Sequence, residues 1–245
     1  MGLLMLDTSF PRPVGDIGNP DSFDFPLVVE RIPGASVRRV VHGRAEGLLE
    51  PFVDAGHRLI ERGAVAIATS CGFLVLHQRA LSAALPVPVA SSSLLQVAWA
   101  GALLGPERRC AVMTFDADSL GPDHLLAAGA PLDTPVAGMP RGGALQSAIL
   151  ADAADLDVEA VRAEVLDVAC SLVGADPRIG AIVLECTNLP PYAADLRRTL
   201  AMPVFDSSTL LEWLWRAAAA APGSRGNVRH GPGTRRPGPD GQAGE

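Results

Sequence analysis

The stretch Ala64-Val65-Ala66-Ile67-Ala68-Thr69-Ser70-Cys71-Gly72-Phe73 runs from an apolar strand into a turn that holds a cysteine. Ile179-Gly180-Ala181-Ile182-Val183-Leu184-Glu185-Cys186-Thr187-Asn188-Leu189-Pro190-Pro191 does the same 115 residues later. Laid on one another without a gap, the two regions place Ala66-Ile67 on Ala181-Ile182, Cys71 on Cys186 and Pro88-Val89 on Pro203-Val204. Ser92-Ser93 then falls on Ser207-Ser208, and Leu95 on Leu210. Each copy reads strand, cysteine turn, helix, short strand, serine cap, helix. Any two β-α-β units look alike because they obey the same packing rules. A cysteine at the same point of both is not demanded by packing.

The rest of the chain continues this alternation. Short apolar runs at Leu3 to Leu6, Val37 to Val41, Val87 to Ala90, Cys110 to Thr114 and Val204 to Phe205 read as strands. Glu46 to Arg62, Leu74 to Leu85, Ser93 to Leu104, Val158 to Val173 and Thr209 to Ala219 carry apolar residues at helical spacing. Strands alternating with helices specify an α/β protein with a mostly parallel sheet covered on both faces. The repeat divides it into two pseudo-symmetric lobes, each a mostly parallel sheet flanked by helices, with the active site expected between them. The expected boundaries are 1–107 for the lobe carrying Cys71 and 108–220 for the lobe carrying Cys186, with helix 209–219 packing back across onto the first. The loop Phe10 to Pro20 is long and stiffened by proline, and is a candidate lid. From 221 to 245 the chain turns to Gly, Pro, Arg and Asp without periodicity, and a disordered tail is expected.

Both cysteine turns follow a buried strand and precede a helix, which in open parallel sheets is where ligands bind. Helix N-termini favour anions and lower the pKa of a nearby thiol from about 8.5. Two matched thiols on opposite sides of a cleft suit proton transfer at a carbon centre, one removing a proton from one face and the other returning it to the opposite face. A free cysteine is otherwise a small core residue, and Cys110 and Cys170 are read that way.

Composition narrows the remaining classes. A net charge of −7 without clustered Lys and Arg argues against nucleic acid as a partner. The apolar runs fall far short of the roughly 20 residues that cross a bilayer, and the N-terminus lacks a basic leader, so a soluble cytoplasmic protein is expected. The four cysteines have neither C-x-x-C spacing nor His partners, so no structural metal is expected. The expected partner is a small carboxylate substrate, and homo-oligomerisation stays open.

These motifs resemble the aspartate/glutamate/hydantoin racemase superfamily, whose members carry one catalytic cysteine in each of two similar α/β lobes and use no cofactor. The resemblance covers residues 3–219. It implies that Asp7, at the end of the first strand, assists Cys71. Val41-His42-Gly43-Arg44 is similar to the family's aromatic-Gly turn, and Thr114 to a substrate-contacting hydroxyl. The neighbours Ser70, Gly72, Phe73, Thr187 and Asn188 are assigned to substrate binding with them, and Arg12 is a candidate carboxylate clamp from the lid. Read on their own residues, Asp7 also suits a turn cap, His42 a satisfied turn histidine and Arg12 a solvated loop.

Two departures from the family pattern stand out. Amino-acid racemases of the group have Cys-Asn-Thr where this chain has Cys71-Gly72-Phe73, and Cys-Thr-His where it has Cys186-Thr187-Asn188. The expected activity is a cofactor-independent racemase or epimerase working by two-base proton transfer at the carbon α to a carboxylate or carbonyl of an amino acid, hydantoin or related acid. The alternatives are a maleate-type cis/trans isomerase, a decarboxylase of the same superfamily, or a non-catalytic small-molecule-binding protein.

Overall fold

The structure is a computed structural model that describes residues 1–219. The expected tail at 221–245 lies outside the described residues.

The first sheet comprises β1 (Gly2–Met5), β2 (Val28–Arg31), β3 (Ile67–Thr69) and β4 (Val89–Ala90), all parallel, in the order β2-β1-β3-β4. The second comprises β5 (Arg109–Thr114), β6 (Val136–Gly138), β7 (Ile179–Leu184) and β8 (Val204–Phe205), parallel again, in the order β6-β5-β7-β8. Adding four to each label of the first order gives the second. The two segments 115 residues apart therefore occupy the same place in like topologies, and Cys71 and Cys186 follow equivalent strands, β3 and β7. Every residue of β1, β3 and β7 is buried, which is why these strands read as continuous apolar runs rather than alternating ones.

The helices cover the sheets by ordinary amphipathic logic. In α1 (Leu49–Glu61), Phe52, Ala55, Gly56 and Leu59 fall on one face and bury it against β1 and β2. Short 3-10 turns at Gly72–His77 and Ser93–Gln96 lead into α2 (Gln78–Ala84) and α3 (Val97–Ala102). The second lobe adds α4 (Pro122–Ala128), α5 (Ala144–Ala151), α6 (Val158–Ala175) and α7 (Ala193–Leu200). The last helix, α8 (Ser207–Ala218), turns Leu210, Leu211 and Leu214 onto Met1, Leu3, Ala66 and Ala68 of the first sheet, and Trp215 stacks on Phe25 at 5.1 Å.

Two local expectations are corrected. Val37 to Val41 is not a strand, because Arg38–His42 forms a single π turn. Its valines at 37, 40 and 41 recur at helical spacing, and the β neighbour of β1 is instead the half-buried β2, whose edge position gives no apolar signal. The cap of α8 is Asp206 rather than Ser207-Ser208: its carboxylate accepts from the Thr209 amide at 2.9 Å while the Thr209 hydroxyl accepts from the Asp206 amide at 2.9 Å. Ser92 does cap its 3-10 turn, accepting from the Leu94 amide.

The loop after β1 crosses to the second lobe. The Ser9 and Phe10 amides both donate to the Asp152 carboxylate at the end of α5, at 2.7 and 2.8 Å. Gly15 holds a left-handed φ of +104 with its Cα pressed on Pro191, where any Cβ would stand 2.8 Å from that backbone. Only glycine tolerates both conditions.

Candidate active site

The carboxyl ends of β1, β3 and β7 and the crossing loop enclose a small cavity of about 30 Å³. Cys71 and Cys186 both line it, with Leu6, Thr8, Phe10, Arg12, Val37, Val41, Ser70, Gly72, Phe73, Phe115, Ile149, Glu185, Thr187 and Asn188. Cys71 sits in extended backbone just before the 3-10 turn, and Cys186 just past β7. Ser70 and Thr187 tie the two turns to the fold and to each other: the Leu6 amide donates to Ser70 Oγ at 2.9 Å, and the Thr187 hydroxyl donates to the Ser70 carbonyl at 2.7 Å. The Cys186 thiol donates to Asn188 Oδ1 at 3.6 Å.

The lid loop contributes a charged cluster. Arg12 lies over the Phe10 ring at 4.4 Å, pairs with Asp16 at 2.8 Å and donates to the Thr8 hydroxyl at 3.0 Å. The other oxygen of the buried Asp16 accepts from the Asn188 amide group at 2.6 Å, so one carboxylate fastens the lid to the second cysteine turn.

The cavity is also lined by a residue to which the sequence alone assigns no role. Glu185 is fully buried, and its Oε2 accepts from the Thr114 hydroxyl at 2.7 Å. Its Oε1 has no partner among the described residues. Burial pushes this carboxyl up to about 7, against the Thr114 hydroxyl and Phe115 amide that favour its charge. Both thiols are pushed up as well, first by burial and then by the Glu185 charge. For Cys71 the Phe73 amide and Arg12 pull the other way; for Cys186 the Asn188 amide does so, while Cys71 and Asp16 push it further up.

Other expected site residues lie elsewhere. Asp7 is exposed and accepts from the Gly34 amide at 2.9 Å, the turn-capping role, so it does not reach Cys71's cavity. His42 lies 3.4 Å from Asp116 with its side chain 40% exposed, and Gly43 closes the π turn against Arg39. Neither borders the cavity, although their neighbour Val41 does. Thr114 lies behind Glu185 and touches it, not the cavity. Glu185 had one sequence signal: in the repeat register it replaces Ser70, an acid ending a wholly apolar strand. Phe10 and Asp16 carried none beyond membership of the lid, and Thr8 none beyond its place after the first strand. Among the described residues no group of His, Cys, Asp and Glu is arranged to hold a metal ion, and no helix is long and apolar enough to cross a membrane.

Comparison with known proteins places this geometry. No family model matches the chain. It is 30% identical over 213 residues to a dimethylsulfoniopropionate lyase of Durusdinium sp. clade D, covering 84% of this chain and 71% of that protein. It is 28% identical over 218 residues to dimethylsulfoniopropionate lyase 6 of Emiliania huxleyi, covering 85% of this chain but only 57% of that longer relative. Among solved structures, arylmalonate decarboxylase superposes with a TM-score of 0.59 at 20% identity, over 91% of this chain and 94% of its own. Allantoin racemase from Pseudomonas fluorescens superposes with a TM-score of 0.57 at 19% identity, over 92% and 95%. These superpositions bear on the fold.

Proposed function

The chain belongs to the dimethylsulfoniopropionate lyase family and has the two-lobed fold of the aspartate/glutamate racemases, and from that premise we propose that it is a cofactor-independent lyase of a β-sulfonium propionate. The observation that carries this reading is the pair Cys71 and Cys186 lining one small cavity together with a guanidinium, Arg12, and a carboxylate, Glu185. A zwitterion with a carboxylate at one end and a sulfonium at the other has the matching charges.

In this reading Arg12 takes the substrate carboxylate and the Cys71 thiolate removes a proton from the carbon α to it. The C–H electron pair becomes the carbon–carbon double bond. The bond from the β carbon to sulfur breaks, and its pair leaves with the sulfur. The products are acrylate, neutral dimethyl sulfide and the Cys71 thiol, which returns its proton to solvent. A sulfonium leaves without being protonated, so elimination needs one base only. Cys186 then serves as the neutral thiol closing the other side.

The same two thiols favour a second reading, the two-base racemase or epimerase, because one cysteine on each side of a carbon is what inversion requires. One set of measurements separates the readings: release of dimethyl sulfide and acrylate from dimethylsulfoniopropionate, beside deuterium exchange and inversion of chiral amino acids and hydantoins in D2O. Elimination by the wild type, reduced more than about a hundredfold in Cys71→Ser, supports the lyase. A wild type inert on the sulfonium that inverts a chiral acid, with Cys71→Ser and Cys186→Ser each exchanging opposite enantiomers, would replace it with the racemase.

A further inference from the structure

Glu185 and Gly72 are sterically matched. A Cβ on residue 72 would stand 2.3 Å from Glu185 Oε1 and 2.5 Å from the Glu185 carbonyl oxygen. The carboxylate therefore occupies the space that the side chain of residue 72 would fill, and glycine follows the first cysteine because an acid precedes the second. The acid is held from behind, Oε2 on Thr114; its free oxygen is buried, and the residue lines the cavity together with both cysteines. An unpaired carboxylate oxygen in such a place is costly unless a positive group comes to it. Arg12, the guanidinium of the cavity, bonds Asp16 and Thr8 rather than Glu185.

We propose that Glu185, seated in the space left by Gly72, is the subsite for the cationic centre of the substrate and sets a preference for onium carboxylates over neutral carboxylates of the same shape. The proposal rests on the lyase reading for the identity of the cation, a sulfonium. It also bears on how a thiolate arises in this site. After burial, the charge of Glu185 is the next influence holding both thiols protonated, and a cation beside it offsets that influence. The substrate's own charge thus eases ionisation of the base that attacks it, as an analogue with an uncharged tail does not.

The test uses binding, which needs no turnover. The isosteric pair is 3-(trimethylammonio)propionate and 4,4-dimethylpentanoate, which differ only in N⁺ against C. Calorimetry at pH 8 should show the wild type binding the cationic member at least about tenfold tighter. In Glu185→Gln, which keeps the bond to Thr114, the ratio should fall to near one while 4,4-dimethylpentanoate binds as before. Gly72→Ala, which displaces the carboxylate, should shift the ratio the same way. In the wild type itself the preference should grow as pH rises through about 7, where Glu185 ionises. The other ionisable groups around it are Cys71, Cys186, Arg12 and Asp16, and at pH 6 to 8 the ammonium probe does not titrate. A preference that persists in Glu185→Gln, is absent from the wild type, or is flat from pH 5.5 to 8.5 overturns the proposal. Preference without any release of dimethyl sulfide defeats the lyase reading and leaves the subsite standing. Release of dimethyl sulfide with the preference intact in Glu185→Gln does the reverse.

Discussion

Glu185 is held in the fold at a measurable expense in stability, and the sign of that expense follows from its ionisation. An exposed glutamate ionises near 4.5, and burial moves Glu185 to about 7. Between those values the folded chain keeps a proton that the unfolded chain has released. Unfolding is therefore favoured more as pH rises through the window, and the loss is complete above 7. Its size is of the order of 3 kcal/mol. Glu185→Gln removes the titrating group while keeping an acceptor for Thr114. Its melting temperature should match the wild type near pH 4.5 and exceed it by several degrees at pH 8. Thermal melts of both proteins across pH 4.5 to 8 check this, and equal slopes would mean that the carboxyl is hydrated rather than buried. The two cysteines differ from Glu185 in how they were legible. Their positions in a repeat expose them, whereas the acid before Cys186 matters only because Gly72 makes room for it across the cleft.

The loop between β1 and β2 is the element that decides admission. The cavity it closes, about 30 Å³, has room for one or two waters and not for a six-carbon-scale acid. Substrate must displace the loop, whose fastenings are the Asp152 carboxylate on the Ser9 and Phe10 amides and the Asp16 carboxylate on Asn188. Asp152 adopts a left-handed φ of +47, so Asp152→Gly removes the acceptors without straining the backbone. Loss of these bonds, about 1 kcal/mol, eases that displacement and should lower KM roughly fivefold with kcat nearly unchanged. It should also speed proteolytic cleavage within residues 9–20. Steady-state kinetics and limited proteolysis check both, and an unchanged KM would show that the loop is not held by Asp152. Proline and glycine content marks this stretch as a lid in the sequence. Its anchors are invisible there, because Asp152 lies 143 residues from Ser9.

The two lobes are joined through a shared interior rather than a hinge. One apolar cluster runs from Leu4, Ile67 and Phe73 in the first lobe to Val112, Val183 and Leu184 in the second. The Thr187 hydroxyl meets the Ser70 carbonyl across the same seam, and α8 returns from the second lobe to cover the first sheet. Urea unfolding should accordingly show a single transition, with circular dichroism and tryptophan fluorescence coincident. Thr187→Val leaves the buried Ser70 carbonyl without its donor and should lower stability by about 1–3 kcal/mol while the transition stays single. Two resolved transitions would mean that the lobes fold apart.

The chain order of strands and helices, the pairing of the lobes and the two cysteine turns are determined by local pattern. Fully buried parallel strands must be apolar throughout, and a repeated unit repeats its residues. The half-buried edge strand β2 and the π turn at Arg38–His42 escape that pattern because neither buries a whole face. Asp7, His42 and Gly43 carry family-like motifs, yet the folded chain turns the first two to solvent and uses the third to close a turn. Which side chains share the cavity was settled only by tertiary structure. Arg12, Gly72, Glu185 and Asn188 come from three separate segments, and the charges of Arg12 and Glu185 act on the thiols through distances that the order of residues along a chain does not encode.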